Sequence, residues 1–118
     1  MTLPEIVKKC SELRIAEVIS NNVLYVELVI YKEEFDRWNE ILTEVFGPAI
    51  KPAGIEPTDE HLNLTKNYGG VQGGILKEQT LFKMTSEGRT VIAMFWPWQC
   101  IEEGEEEKVT LKMAVLRK

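Results

Sequence analysis

The sequence predicts an α+β fold, an antiparallel sheet of about five strands in the order α-β-β-α-(long loop)-β-β-β, with a helix over 33–46 packed on one sheet face. Three observations carry this. Apolar, β-rich runs flank Asn21-Asn22 and again Glu87-Gly88, and both dipeptides suit a two-residue hairpin turn. Between these units, Phe35, Trp38, Ile41, Leu42, Val45 and Phe46 share one arc of roughly 140° at the helical 100° per residue. Near the end, Val109, Leu111, Met113 and Val115 alternate with Thr110, Lys112 and Ala114, the period of a strand. The 118 residues favour a single domain, 1–118, long enough to bury a core without staples.

The first element is a short helix within Thr2 to Glu12. Thr2 and Glu5 have capping-box spacing, Leu3, Ile6, Val7 and Cys10 fall on one face, and Pro4 sits where its missing N–H costs nothing. The first hairpin follows, Leu13 to Ser20 and Val23 to Tyr31. An Asn21-Asn22 turn sets Ile19 against Leu24, Ile15 against Leu28 and Leu13 against Ile30. That register makes Leu24, Val26, Leu28 and Ile30 the core face, and places Glu17 on it opposite Val26. The outer face then carries Val18, Tyr25, Val29 and Tyr31 beside Arg14 and Glu27.

Glu33, Glu34 and Asp36 open the long helix, where they complement its dipole, and Gly47-Pro48 stops it. Residues 48–77 are an irregular loop containing Pro48, Pro52, Pro57 and most of the glycines, with a short helix from a Thr58 or Asp59 cap through Leu64. In the second β unit, Thr80 to Ser86 and Arg89 to Trp96 pair around Glu87-Gly88, and Pro97 is expected to end the clean pairing. This order of elements is similar to that of PAS and profilin-like sheets, which run ββ, then helix, then βββ. The likeness is one of order, carried by no motif residue, and implies nothing about function.

Charge limits the partners. The net charge of −5 comes from Glu102, Glu103, Glu105, Glu106 and Glu107, since the rest of the chain holds 14 acidic and 14 basic residues. No basic surplus is left for a nucleic-acid footprint. The acidic run reads as a solvated loop, because its spacing is not that of a calcium loop. The longest apolar stretch, Val23 to Tyr31, is too short to span a membrane and is interrupted by Glu27. Met1 to Glu5 lacks the basic and apolar regions of a signal peptide, and Cys10 and Cys100 read as free thiols, so a cytoplasmic location is expected.

The usual chemical constellations are missing. His61 is the single histidine, with no second ligand at helical spacing, so no metal and no cofactor are expected. There is no nucleophile elbow. Gly69-Gly70-Val71-Gln72-Gly73-Gly74 lacks the lysine and hydroxyl residue of a phosphate loop, and reads first as a connection passing close to neighbouring backbone. Candidate ligand-binding residues are Tyr68, Gly69, Gly70, Gly73 and Gly74 in that loop, with Trp96 and Trp98, which fall on one side of an extended chain. Glu17 is a weak catalytic candidate, because a carboxylate on a core face must find a partner, reach water or hold its proton. The sequence therefore favours a ligand- or protein-binding module, uncovered apolar residues on the outer hairpin face suggesting a homo-oligomer. The alternative is a small enzyme using Glu17 as an acid–base carboxylate in a sheet-face pocket.

Overall fold

A computed structural model describes residues 2–68, 74–98 and 106–116. Gly69, Gly70, Gly73, Cys100 and residues 102–105, named above, lie outside them. The described elements are α1 (Leu3–Lys9), β1 (Ile15–Asn21), β2 (Tyr25–Tyr31), α2 (Phe35–Phe46), α3 (Asp59–Thr65), β3 (Thr80–Ser86), β4 (Arg89–Pro97) and β5 (Lys108–Val115). The strands form one antiparallel sheet in the order β1-β2-β5-β4-β3. The last strand therefore inserts between the two hairpins and becomes the centre of the sheet.

One sheet face holds the main core. Leu28, Ile30, Phe82, Phe95, Leu111 and Met113 pack there with Leu3 and Ile6 of α1, its C-cap Cys10, and Trp38, Leu42 and Phe46 of α2. α1 forms because the Thr2–Glu5 capping box closes its first turn as expected. α2 starts at Phe35, the first residue of its apolar arc and two residues later than the expected 33. Lys32–Glu34 form a 3-10 turn instead, and Glu33 and Glu34 pair with Arg14, whose Nε and backbone N–H both lie 3.2 Å from Glu34 Oε1. Arg14 also lies over the Tyr31 ring, 4.6 Å from its centroid. Gly47, at φ 85°, ends α2 in a conformation that favours glycine.

The burial of Cys10 has a pH consequence. Burial pushes its thiol up to about 11 from an ordinary 9.0, the charge of Lys9 acting the other way. The unfolded thiol ionises first, so this residue's stabilising contribution is complete below pH 9.0 and is lost as pH rises towards about 11. Chemical denaturation across that window should show a shallower alkaline loss in Cys10→Ala than in the parent protein. Equal slopes would show that Cys10 contributes nothing to the alkaline limb.

The second hairpin turns at Glu87-Gly88 as expected. Both residues have positive φ, 52° and 77°, and Ser86 pairs with Arg89. Pro97 does not end the pairing: it lies opposite Val109, and the Trp98 N–H still donates to the Lys108 carbonyl at 3.1 Å. The ladder's parity aims the proline nitrogen away from β5, on the side where β3 has already ended at Thr80 opposite Phe95, so no bond is lost.

The first hairpin differs from the expected register. Ile15 pairs with Ile30, Glu17 with Val29, Val18 with Leu28 and Asn21 with Val26. Two effects cause this. Asn22 accepts the N–H groups of Leu24 and Tyr25 on Oδ1, both at 3.0 Å, and donates its own N–H to the Tyr25 carbonyl at 3.0 Å, which moves the turn on to Val23-Leu24. Register shifts between Ile15 and Glu17, and between Val18 and Ser20, then each set an extra β1 residue against β2. The first shift moves Glu17 off the core face, and its side chain is exposed.

The 48–77 segment is anchored by a lysine. Lys51 is fully buried, and its Nζ donates to the carbonyls of Pro52 at 3.1 Å, Lys77 at 2.8 Å and Gln79 at 2.6 Å. Burial lowers its pKa, opposed by the negative charges of Glu78 and Glu56. Lys51 also forms a β-bridge with Leu81, so one residue ties the loop to β3 through its backbone and to the segment before β3 through its side chain.

Candidate functional site

The opposite sheet face carries the candidate site. β5 alternates, so Val109, Leu111 and Met113 enter the main core while Lys108, Thr110 and Lys112 face outward. Register then fixes their neighbours. Thr110 pairs with Val29 of β2 and Trp96 of β4, and Lys112 pairs with Glu27 and Met94. A second apolar cluster of Ile75, Leu81, Ile92, Met94 and Ala114 lies on this face, with Tyr25, Leu64, Tyr68, Trp96 and Leu116 packed against it.

α3 and the residues around it cover part of the face. Thr58 caps α3 reciprocally with His61: the His61 N–H donates to Thr58 Oγ1 at 3.3 Å, and the Thr58 N–H to His61 Nδ1 at 3.1 Å. His61 is thus spent on a cap, and among the described residues no cluster of metal-ligating side chains exists. Buried Thr65 accepts the Ile75 N–H at 2.9 Å. Gly74 is a close approach, because a Cβ there would stand 3.0 Å from the Leu62 side chain and 3.3 Å from Thr65 Oγ1.

Two lysines and the aromatic residues form a row along this face. Tyr25 and Tyr68 stack, centroids 5.7 Å apart and planes 14° from parallel. Lys112 Nζ donates to the Tyr68 carbonyl at 2.9 Å and lies 4.0 Å from the centroid of the Trp96 ring. Trp98 donates from Nε1 to Thr110 Oγ1 at 2.8 Å, with Lys108 Nζ over its ring at 5.5 Å. Each lysine thus meets the electron-rich face of a tryptophan. The Trp96 indole N–H is shielded from water and has no hydrogen-bond partner among the described residues.

Two clefts open beside the tyrosine pair. One, of about 420 Å³, has walls that include Leu24, Leu64, Asn67 and Leu116. The other, a shallow and open depression of about 400 Å³, is lined by Tyr25, Asn67, Tyr68 and Lys112. Both volumes are of small-molecule size. The Tyr25 hydroxyl donates to Glu27 Oε1 at 2.6 Å. Its pKa is raised by burial first, then by that hydrogen bond and the Glu27 charge, so Tyr25 remains a donor.

Of the sequence candidates, Tyr68 and Trp96 meet around Lys112, and Trp98 extends the same row. Gly74 packs on α3, and Glu17 stands exposed on edge strand β1. Of the four outer hairpin residues expected to need cover, Val29 is buried, Tyr31 lies under Arg14 and Tyr25 under Tyr68, while the register sets Val18 opposite core residue Leu28, off the outer face, where it is 54% exposed. Sequence reasoning missed Lys112, Thr110 and Lys108 as site residues. The alternation of β5 marked Thr110 and Lys112 as one face, but their tryptophan partners depend on the β4–β5 register. Comparison with known proteins gives no match, whether to a family model, a curated protein or a solved structure.

Proposed function

We propose that this chain is a small-ligand-binding module whose ligand occupies the outer-face cleft beside Tyr25, Tyr68 and Lys112. The observation that carries the reading is the Lys112 ammonium, held between the Tyr68 carbonyl and the Trp96 ring at the edge of a cleft walled by stacked aromatic rings. Apolar walls supply affinity there, and a few fixed polar groups supply orientation. The acid–base alternative expected Glu17 in a sheet-face pocket, whereas its side chain is exposed on edge strand β1.

Heteronuclear NMR titration with a library of small aromatic compounds tests the reading. Binders should shift the amides of Tyr25, Asn67, Tyr68, Lys112 and Leu116 together. Binders that shift only residues away from this face, or a library without binders, would contradict it.

A further inference from the structure

We propose that the outer-face cleft selects planar aromatic ligands that carry an acidic group, with Lys112 as the anion contact and the Tyr25–Tyr68 pair as the wall for the ring. This rests on the cleft being the binding site and adds the charge and shape of what it binds.

The charge argument starts from Lys112. It is half-buried, yet among the described residues no carboxylate lies within ion-pair distance of its Nζ. An ammonium carries three donors. One goes to the Tyr68 carbonyl, and the Trp96 ring takes one face of the group, so donor capacity remains beside the cleft. A partly desolvated cation without a counter-ion is stabilised by an anion arriving there.

Glu27 is the natural competitor, being the cross-strand partner of Lys112. Its carboxylate is instead engaged by the Tyr25 hydroxyl at 2.6 Å. Tyr25 therefore has two tasks, presenting its ring to the cleft and holding Glu27 away from Lys112. The shape argument comes from the walls. The tyrosines stack too closely to admit a ring between them, and Asn67 shapes the Lys112 cleft alongside. A flat ring lying against that surface, with its acidic group towards Lys112, satisfies both features.

The test compares naphthoate with naphthamide, which share ring and size and differ in charge, in NMR titrations at low salt. The intact protein should bind naphthoate about tenfold more tightly, the size of one good charge-assisted hydrogen bond. Lys112→Met should abolish the preference, and Lys112→Arg should keep part of it. Glu27→Gln, which removes the competing charge, should strengthen naphthoate binding and leave naphthamide unchanged. Equal affinities in the intact protein, or a preference that survives Lys112→Met, would overturn the proposal while leaving the cleft as a site for neutral ligands. If neither compound shifts the cleft amides, the cleft reading itself fails and this proposal with it.

Discussion

Lys51→Met should destabilise the protein by about 3 kcal/mol or more, although methionine matches much of the lysine's apolar volume. The loss comes from the other partners. The Pro52, Lys77 and Gln79 carbonyls all converge on Lys51 Nζ; without the ammonium the buried Gln79 carbonyl loses this donor, the part-buried Pro52 carbonyl loses it too, and the Lys77 carbonyl keeps only the Gly54 N–H. Each unsatisfied buried polar group costs about 1–3 kcal/mol, and solvent entering the site would recover part of that. The effect should also be local. Hydrogen exchange should accelerate at Ile50, Lys51, Gly54 and Leu81, whose N–H groups bond across the two segments that Lys51 joins. A denaturation midpoint unchanged from the parent would show that the carbonyl cage contributes nothing.

Trp38→Ala should cost about 3–5 kcal/mol, the range for truncating a large aromatic side chain in a core. Trp38 is fully buried on α2 and belongs to the cluster that joins both helices to the sheet. Trp38→Phe provides the informative contrast. The Trp38 indole N–H is buried with no hydrogen-bond partner among the described residues, so phenylalanine removes an unsatisfied donor along with some packing. Its cost should be less than half that of alanine, as read from denaturation midpoints. Equal losses would mean that the indole ring's full volume, and not its aromatic filling of the site, sets the stability.

The contrast between the two hairpins shows what the sequence encodes locally. Glu87-Gly88 is a turn that only positive φ values permit, and the β3–β4 register follows from it with no further information. Asn21-Asn22 looks equivalent, but Asn22 caps the turn through its side chain and β1 carries two bulges. Bulges depend on what faces the strand, which alternation alone does not reveal. Glu17 was nonetheless the trace of one of them: the carboxylate expected on the core face stands where the register shifts. α1 and α2 were legible for a similar reason, since a capping box and an apolar arc act over a few residues.

The site was legible in part. Trp96 and Trp98 fall on one face because they are two residues apart on a strand, and that period survives Pro97. Lys112 is different. Its role comes from a β5 strand inserted between β2 and β4, and from a carbonyl on Tyr68 far away in sequence. Lys51 was equally hidden, because a lysine in a proline-rich loop reads as a solvated residue until the loop folds over it.

A crystal structure of the protein soaked with naphthoate tests the central claim most directly. The account predicts the ring against Tyr25 and Tyr68, with a carboxylate oxygen within about 3 Å of Lys112 Nζ. Naphthoate bound elsewhere, or bound in the cleft with its carboxylate turned away from Lys112, would contradict it.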